Sequence, residues 1–557
     1  MKTISATEFE AQAANSTASN AVESRPERYI ALAIFLLSFL YLCIFRRYSW
    51  VDPDEGVILQ GAQRILDGQV LYRDFFSFFT PGSYYFFALI FRLFGDSYLV
   101  AHTALAFFGA AFSPITYLLA RRVCSRQASL LATALMTVTA VPGRFVVIHN
   151  WDSTLWACLA LYCAVRMLES YGVKWAFAAA TFTSLTALFE QSKGAGLLLG
   201  LGVGFLIIAL NGEPRRLLTR GQAVAILLGL CWPFILTVIY FASHHALMAM
   251  WASWFWPLQH YSAANRVPYA YDNMTGQARD RMFGSASLGM RLFAMLIFSS
   301  RTWIPFVPIF AVALLARLTF LRRGRISNER EWAYYVLVSA TISGLLLSIV
   351  IARADYLHFI FLQPIFFLVL AWLLDGGSIR HPLFIRIAPL VGLCLSMSLL
   401  ARAAQSLLGT PEKQNVISRR GAITMDRPDE VIDYVQAHVP PGERILIYPY
   451  QPTYYYLTQT YSPTRFDFYQ PGMHTEQQLR DMLAELSAHP TRAVLYQPTF
   501  TEHLRKAWPN TPPSAIARDV MAEYIVQEYQ PCTTLSSEIV FMVRKDLTCP
   551  NAGRPSP

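Results

Sequence analysis

The chain has 557 residues, of which 54% are hydrophobic and only 15% charged, and its mean hydropathy is +0.35. A soluble protein of this length carries charge on about a quarter of its residues, so a wholly water-soluble fold is excluded and the membrane class is fixed before any motif is read. The net charge of +10 does not mark a nucleic-acid surface, because Lys and Arg fall in short groups between apolar runs, which is how membrane proteins encode their orientation.

Residues 1–28 are a polar stretch rich in Ala, Ser, Thr and Glu with no apolar core, read as a disordered cytoplasmic tail rather than a cleaved signal. A spanning helix needs about 20 apolar residues, fewer where the flanks snorkel. By that criterion about eleven spans follow, at 29–45, 98–120, 128–141, 154–168, 174–189, 194–210, 223–242, 292–315, 332–351, 359–374 and 385–404. Arg25 and Arg28 before the first span balance Arg46 and Arg47 after it, so the first helix alone does not set the orientation. Three later clusters do: Arg121, Arg122 and Arg126; Arg215, Arg216 and Arg220; and Arg322, Arg323, Arg325 and Arg330. With an odd number of spans and the amino terminus inside, all three face the cytoplasm. The same parity puts the first loop (46–97), 243–291, 352–358 and everything after 404 outside.

Residues 405–557 have more Pro, Gln, Thr and charge and no further span. Helices are predicted at 428–439 and 475–488, and strands at 444–448 and 492–496. The predicted fold class is therefore an all-α polytopic membrane bundle over 29–404, followed by a small extracytoplasmic α/β domain. Cys43, Cys124, Cys158, Cys163, Cys231 and Cys394 lie in or beside apolar runs and act as small hydrophobes. Cys532 and Cys549 fall in the polar tail, where an oxidising compartment would allow a disulfide.

In the first loop, Trp50-Val51-Asp52-Pro53-Asp54-Glu55-Gly56 places three carboxylates within four residues, just after a span and just before the helix-like run 57–66. Asp is a preferred helix N-cap, so Asp54 can be read as a capping residue. A functional reading comes from the surroundings. Residues 57–66 have the apolar spacing of a helix lying on a membrane surface, and 81–94 is a second apolar stretch too short for a clear span. Two interfacial helices would hold Asp54 and Glu55 at membrane level, where a carboxylate facing a cavity could act as general base.

The order Asp54-Glu55-Gly56, then an amphipathic helix, then Gly68-x-x-x-Tyr72-Arg73-Asp74-Phe75, Thr80-Pro81-Gly82 and Leu93-Phe94-Gly95 resembles the integral-membrane glycosyltransferases of the GT-C superfamily. The relatives include protein O-mannosyltransferases, the lipid A aminoarabinose transferase and rhizobial core transferases. The resemblance is motif-specific over 52–120 and architectural elsewhere. It implies a bacterial cytoplasmic-membrane enzyme that moves a hexosyl or pentosyl group from a polyprenyl-phosphate-linked donor to a hydroxyl of a lipid, glycan or protein acceptor. The catalytic base would be Asp54, with Glu55 as second choice, and Asp52, Tyr72, Arg73 and Asp74 would lie near substrate. Thr80-Pro81-Gly82 stands where many relatives have Pro-Pro-Leu, and His102 where many have Arg.

A polyprenyl-phosphate donor needs a cation at the outer face, since charge grows on the phosphate as the glycosidic bond breaks. Lys193, in Glu190-Gln191-Ser192-Lys193-Gly194 between two apolar runs, fits that place; an ordinary loop lysine is the alternative, and the resemblance favours the phosphate. Ala352-Arg353-Ala354-Asp355-Tyr356-Leu357-His358 is a second such boundary. There Arg353 could fork onto phosphate and Asp355 or His358 could orient it or meet sugar, a pattern the resemblance also supports. Arg144, His149, Asn150, Trp151 and Asp152 form a third, weaker external group. Arg465 and Asp467 are read as a structural pair. The loop 243–291 would close over the acceptor.

The sequence has no Gly-rich phosphate loop, no Cys/His metal spacing and no nucleophile elbow. A nucleotide-sugar donor is thus disfavoured and no cofactor is expected; three neighbouring carboxylates could bind a divalent cation through waters but are weak support for one. A non-catalytic scaffold whose external tail binds a partner is one rival reading, and a transporter or flippase of lipid-linked saccharides is the other. It predicts mid-membrane polar residues and repeated halves, and neither is seen.

Overall fold

The computed structural model describes residues 25–211, 218–271, 287–320, 329–375, 382–408, 413–536 and 538–550. In chain order the bundle comprises α1 (Arg25–Leu42), the two short helices of the first loop, α2 (Pro53–Leu66) and α3 (Gly82–Phe94), and then α4 (Tyr98–Ala120), α5 (Arg126–Thr139), α6 (His149–Ser170), α7 (Val173–Phe189), α8 (Gln191–Asn211), α9 (Arg220–Ser243), α10 (Leu247–Trp256), α11 (Leu288–Phe320), α12 (Glu329–Ala352), α13 (Gln363–Leu374) and α14 (Pro382–Leu408). Each segment predicted to span is helical. Among the described residues, six helical stretches are long and apolar enough to cross a membrane, at Tyr98–Ala120, Gln191–Asn211, Arg220–Ser243, Thr302–Phe320, Glu329–Ala352 and Arg386–Ala404. The chain is therefore an integral membrane protein.

Two backbones meet closely where α8 crosses α12. A Cβ added to Gly344 would lie 2.1 Å from the Gly196 carbonyl oxygen, so the small residues at 196, 200 and 344 are required by the crossing itself, as in other tight membrane-helix pairs.

Helix α4 runs from one end of the bundle to the other. Near its start His102 meets Glu55, with Nε2 2.6 Å from Oε1. Near its end Tyr117 hydrogen-bonds Glu27, which also takes Arg126 at 2.6 Å and Arg121 at 3.4 Å. One predicted basic cluster is thus tied to the start of α1. Arg215 and Arg216 of the second cluster, Arg322, Arg323 and Arg325 of the third, residues 1–24 of the tail and 272–286 of the loop proposed to close over the acceptor lie outside the described residues.

The C-terminal unit begins with the hairpin β1 (Gln414–Ser418) and β2 (Gly421–Met425). It continues through α15 (Glu430–His438), β3 (Leu446–Tyr448), α16 (Thr453–Thr458), α17 (Glu476–Ala488), β4 (Ala493–Tyr496), β5 (Tyr529–Thr534) and β6 (Val540–Arg544). The second sheet has the order β3-β4-β6-β5, with β3 and β4 parallel and the other pairs antiparallel. The helices and strands predicted at 428–439, 444–448, 475–488 and 492–496 are present, and Cys532 and Cys549 are disulfide-bonded.

This unit is fastened to the first loop. Ser49 N–H donates to Thr424 O at 3.0 Å, Phe76 N–H to Arg465 O at 2.9 Å and Tyr98 N–H to Arg420 O at 2.9 Å. Helix α2 lies between α3 and α16 with residues 55–64 all buried, and a Cβ on Gly56 would fall 2.1 Å from the Thr453 backbone nitrogen. The amphipathic spacing of 57–66 therefore reflects packing under the C-terminal unit, not a position on the membrane surface. The Arg465–Asp467 pair is also corrected. Asp467 binds Arg64 at 2.7 Å, with both side chains 7% exposed, while Arg465 donates to Tyr72 O at 2.9 Å.

Candidate active site

The three carboxylates of the first loop separate because consecutive residues of a helix point about 100° apart. Asp52 is the N-cap of α2 and accepts Asp54 N–H at 3.0 Å, with Pro53 opening the helix. Capping thus falls to Asp52, and Asp54 is left in the first turn with a side chain 41% exposed. Its Oδ2 lies 3.1 Å from Arg144 Nη2, and its Oδ1 accepts the Tyr450 phenol O–H at 2.7 Å. The same Arg144 nitrogen is 3.1 Å from Asp52 Oδ2. Burial pushes the Asp52 carboxyl up to about 6; Arg144 opposes that shift, and the charges of Asp54 and Glu55 add to it.

Glu55 faces the other way. It is 1% exposed, and besides His102 it accepts Val147 N–H at 2.8 Å and Tyr98 O–H at 3.3 Å. Its carboxylate holds α2, α4 and the segment before α6 together and does not reach the open side of the site. The expectation of Glu55 as reserve base is corrected accordingly.

Arg353, Asp355 and His358 follow α12. Asp355 caps the single helical turn Tyr356–Ile360, accepting His358 N–H at 3.0 Å, and His358 Nδ1 lies 2.6 Å from the same oxygen. Arg353 pairs with Asp355 through Nε, reaches Asn265 Oδ1 at 3.1 Å, donates to Ala507 O, and has the Trp508 ring 5.3 Å away. Burial alone would raise the Asp355 carboxyl, but the neighbouring His358 and Arg353 hold it well below the usual carboxylate range. Arg353 is therefore filled by protein groups, whereas His358 is 30% exposed. The two clusters face one another: Arg144 interacts electrostatically with Asp52, Asp54 and Asp355, and His149 with Asp54 and His358. The His149 ring lies 4.2 Å from Phe79.

Of the remaining predicted residues, Lys193, Asp152 and Tyr72 are buried, whereas the Arg73 and Asp74 side chains are 42% and 30% exposed but paired with each other. Lys193 is 3% exposed, and its Nζ meets Glu190 Oε2 at 2.8 Å, Ser153 Oγ at 2.8 Å, Asn150 O at 2.9 Å and Thr154 Oγ1 at 3.0 Å. It joins α6 to the start of α8 and has no donor left for a phosphate, a correction whose physical reason is complete coordination. Asp152 accepts Ser83 O–H at 2.6 Å within the core. Tyr72 is buried, donating to Phe79 O at 2.7 Å and accepting from Trp254 at 2.8 Å. Asp74 closes the same turn by accepting Val70 N–H at 2.7 Å, and Arg73 binds Asp74 and His244 O.

Sequence reasoning gave Arg144 only a place in its weakest group and did not find Tyr450. No local pattern links Tyr450 to Asp54 across 396 positions. Among the described residues no group of three or more His, Cys, Asp or Glu side chains is placed to hold a metal ion.

A family model described as dolichyl-phosphate-mannose-protein mannosyltransferase matches residues 80–241. No curated protein matches by sequence. Among solved structures, ArnT from Cupriavidus metallidurans bound to undecaprenyl phosphate aligns over 93% of this chain and 98% of that one, at 13% identity and a TM-score of 0.44. Over 80–241 the chain is thus similar to the dolichyl-phosphate-mannose-protein mannosyltransferases, and the resemblance to the GT-C superfamily read from its first loop is borne out.

Proposed function

We propose that the chain is a glycosyltransferase that moves a sugar from a polyprenyl-phosphate-linked donor to an acceptor hydroxyl at the outer face of the membrane, with Asp54 as general base. The observation that carries this reading is the half-open carboxylate of Asp54, gripped by Arg144 and Tyr450 yet still 41% exposed. A similarity to lipid-phosphate-sugar transferases over the adjoining 80–241 supports it. The outer-face assignment is supported by Arg121 and Arg126 at the opposite end of α4, since basic residues collect on the cytoplasmic side.

In this mechanism Asp54 takes the acceptor O–H proton as that oxygen attacks the anomeric carbon. The bond between that carbon and the phosphate oxygen breaks, leaving a polyprenyl phosphate with one more negative charge. A single displacement inverts configuration at the sugar. Arg144, which already holds the open carboxylate, would stabilise the leaving phosphate, and His358 is the partly exposed side chain of the facing cluster. Arg353 would join them only after exchanging its Ala507 carbonyl partner.

The test is incubation of the purified protein with a panel of sugar-labelled polyprenyl phosphates and measurement of released lipid phosphate. Turnover of one member is expected. Failure to turn over any member would contradict the reading.

A further inference from the structure

The C-terminal unit enters the site directly. Tyr450, just beyond β3, donates to Asp54 Oδ1 at 2.7 Å. Its ring is fixed from several sides, meeting Phe468 edge-on at 4.9 Å and lying 6.4 Å from both Phe500 and Trp508. Burial and the Asp54 charge push its phenol well above the ordinary value, so it remains a donor across the physiological range. On the other side of Asp54, Arg144 must divide one nitrogen between Asp52 and Asp54. A carboxylate held at one oxygen can still turn about its Cβ–Cγ bond; a second bond, to the other oxygen, fixes its plane. Each carboxylate oxygen has two lone-pair positions, so both grips leave room for an incoming proton.

We propose that Tyr450 is a positioning residue for Asp54, through which the C-terminal unit sets the aim of the base; this rests on the reading of Asp54 as the base. The unit is then part of the catalytic site as well as a cover fastened to the first loop. A misaligned base lowers the rate of the chemical step without changing what binds.

The variant Tyr450→Phe keeps the ring and its packing and removes only the donor. With sugar-labelled polyprenyl phosphates as probe, kcat is expected to fall about ten- to a hundredfold, while KM and Tm stay at the wild-type values. Tyr454→Phe is the control, since it removes a comparable bond, 3.1 Å to Asp429, in the same unit and should leave kcat unchanged. Unchanged kcat in Tyr450→Phe would overturn the proposal. So would a fall matched by a rise in KM, a drop in Tm or an equal fall in Tyr454→Phe. Asp54→Asn separates the two layers: full activity there overturns the base reading and this proposal with it, whereas inactivity there beside intact Tyr450→Phe turnover overturns this proposal alone.

Discussion

The Asp54 site and the Glu190–Lys193 turn carry similar residue types beside a helix start, and the fold uses them in opposite ways. At Lys193 every hydrogen of the ammonium is taken by α6 or Glu190, and the group is 3% exposed. At Asp54 both oxygens are engaged, yet the side chain stays 41% exposed. Glu55, one residue further on, belongs with Lys193: buried, fully bonded and structural. Motif membership therefore does not decide which charged group meets a substrate. What decides is whether the fold leaves part of the group's bonding capacity open to the site.

The largest stability effect that would break this contrast is at Lys193. Lys193→Met leaves Glu190 charged and largely buried, a loss of about 3–5 kcal/mol, seen as a strongly lowered Tm. The double variant Lys193→Met/Glu190→Gln should recover most of it, because the uncompensated charge is gone. Turnover by the folded fraction is expected to persist in both. An unchanged Tm with a raised KM for the lipid-phosphate donor would instead place Lys193 at the substrate and end the contrast.

A smaller effect sharpens it at Asp52, which is intermediate with a side chain 12% exposed. Its folded carboxyl is raised to about 6, chiefly by burial, so the folded chain holds this proton more tightly than the unfolded chain does. Its contribution favours the fold at acid pH and is lost as pH rises from the ordinary carboxylate range through about 6. Relative to Asp52→Asn, the wild type should therefore lose about 2 kcal/mol between roughly pH 4 and 6 and no more above that window. Thermal melts of both proteins across the window check it; a wild type that gains on the variant as pH rises would contradict the assignment.

Much of the fold was legible because it is written in short-range patterns. Apolar run length gave the helical segments of the bundle, and periodicity gave α15, α17, β3 and β4. Strands β1, β2, β5 and β6 were missed; of these, Tyr529–Thr534 is polar and carries Pro531 at an irregular register, so it has little strand pattern. Five of the eleven predicted spans fall outside the six long apolar stretches: α5, α7 and α13 are short, α1 carries Arg25, Glu27 and Arg28, and α6 begins with the buried polar run His149-Asn150-Trp151-Asp152. In the site, Asp54 could be singled out locally, but its partners could not. Arg144 reaches it from 90 residues away and Tyr450 from 396, and such pairings depend on how the C-terminal unit docks on α2. The misreading of 57–66 as a surface helix has the same origin, since amphipathic spacing reports one buried face without saying what buries it.

The central claim is that Asp54 alone of the first-loop carboxylates performs chemistry. Turnover of a sugar-labelled polyprenyl phosphate by Asp54→Asn and Glu55→Gln, measured per folded molecule in the same membranes, tests it most directly. Asp54→Asn should lose about 10²–10⁴-fold in kcat at wild-type Tm, and Glu55→Gln should lose Tm while its folded fraction keeps near-normal kcat. The reverse pattern, an active Asp54→Asn beside a stable but inactive Glu55→Gln, would contradict the account.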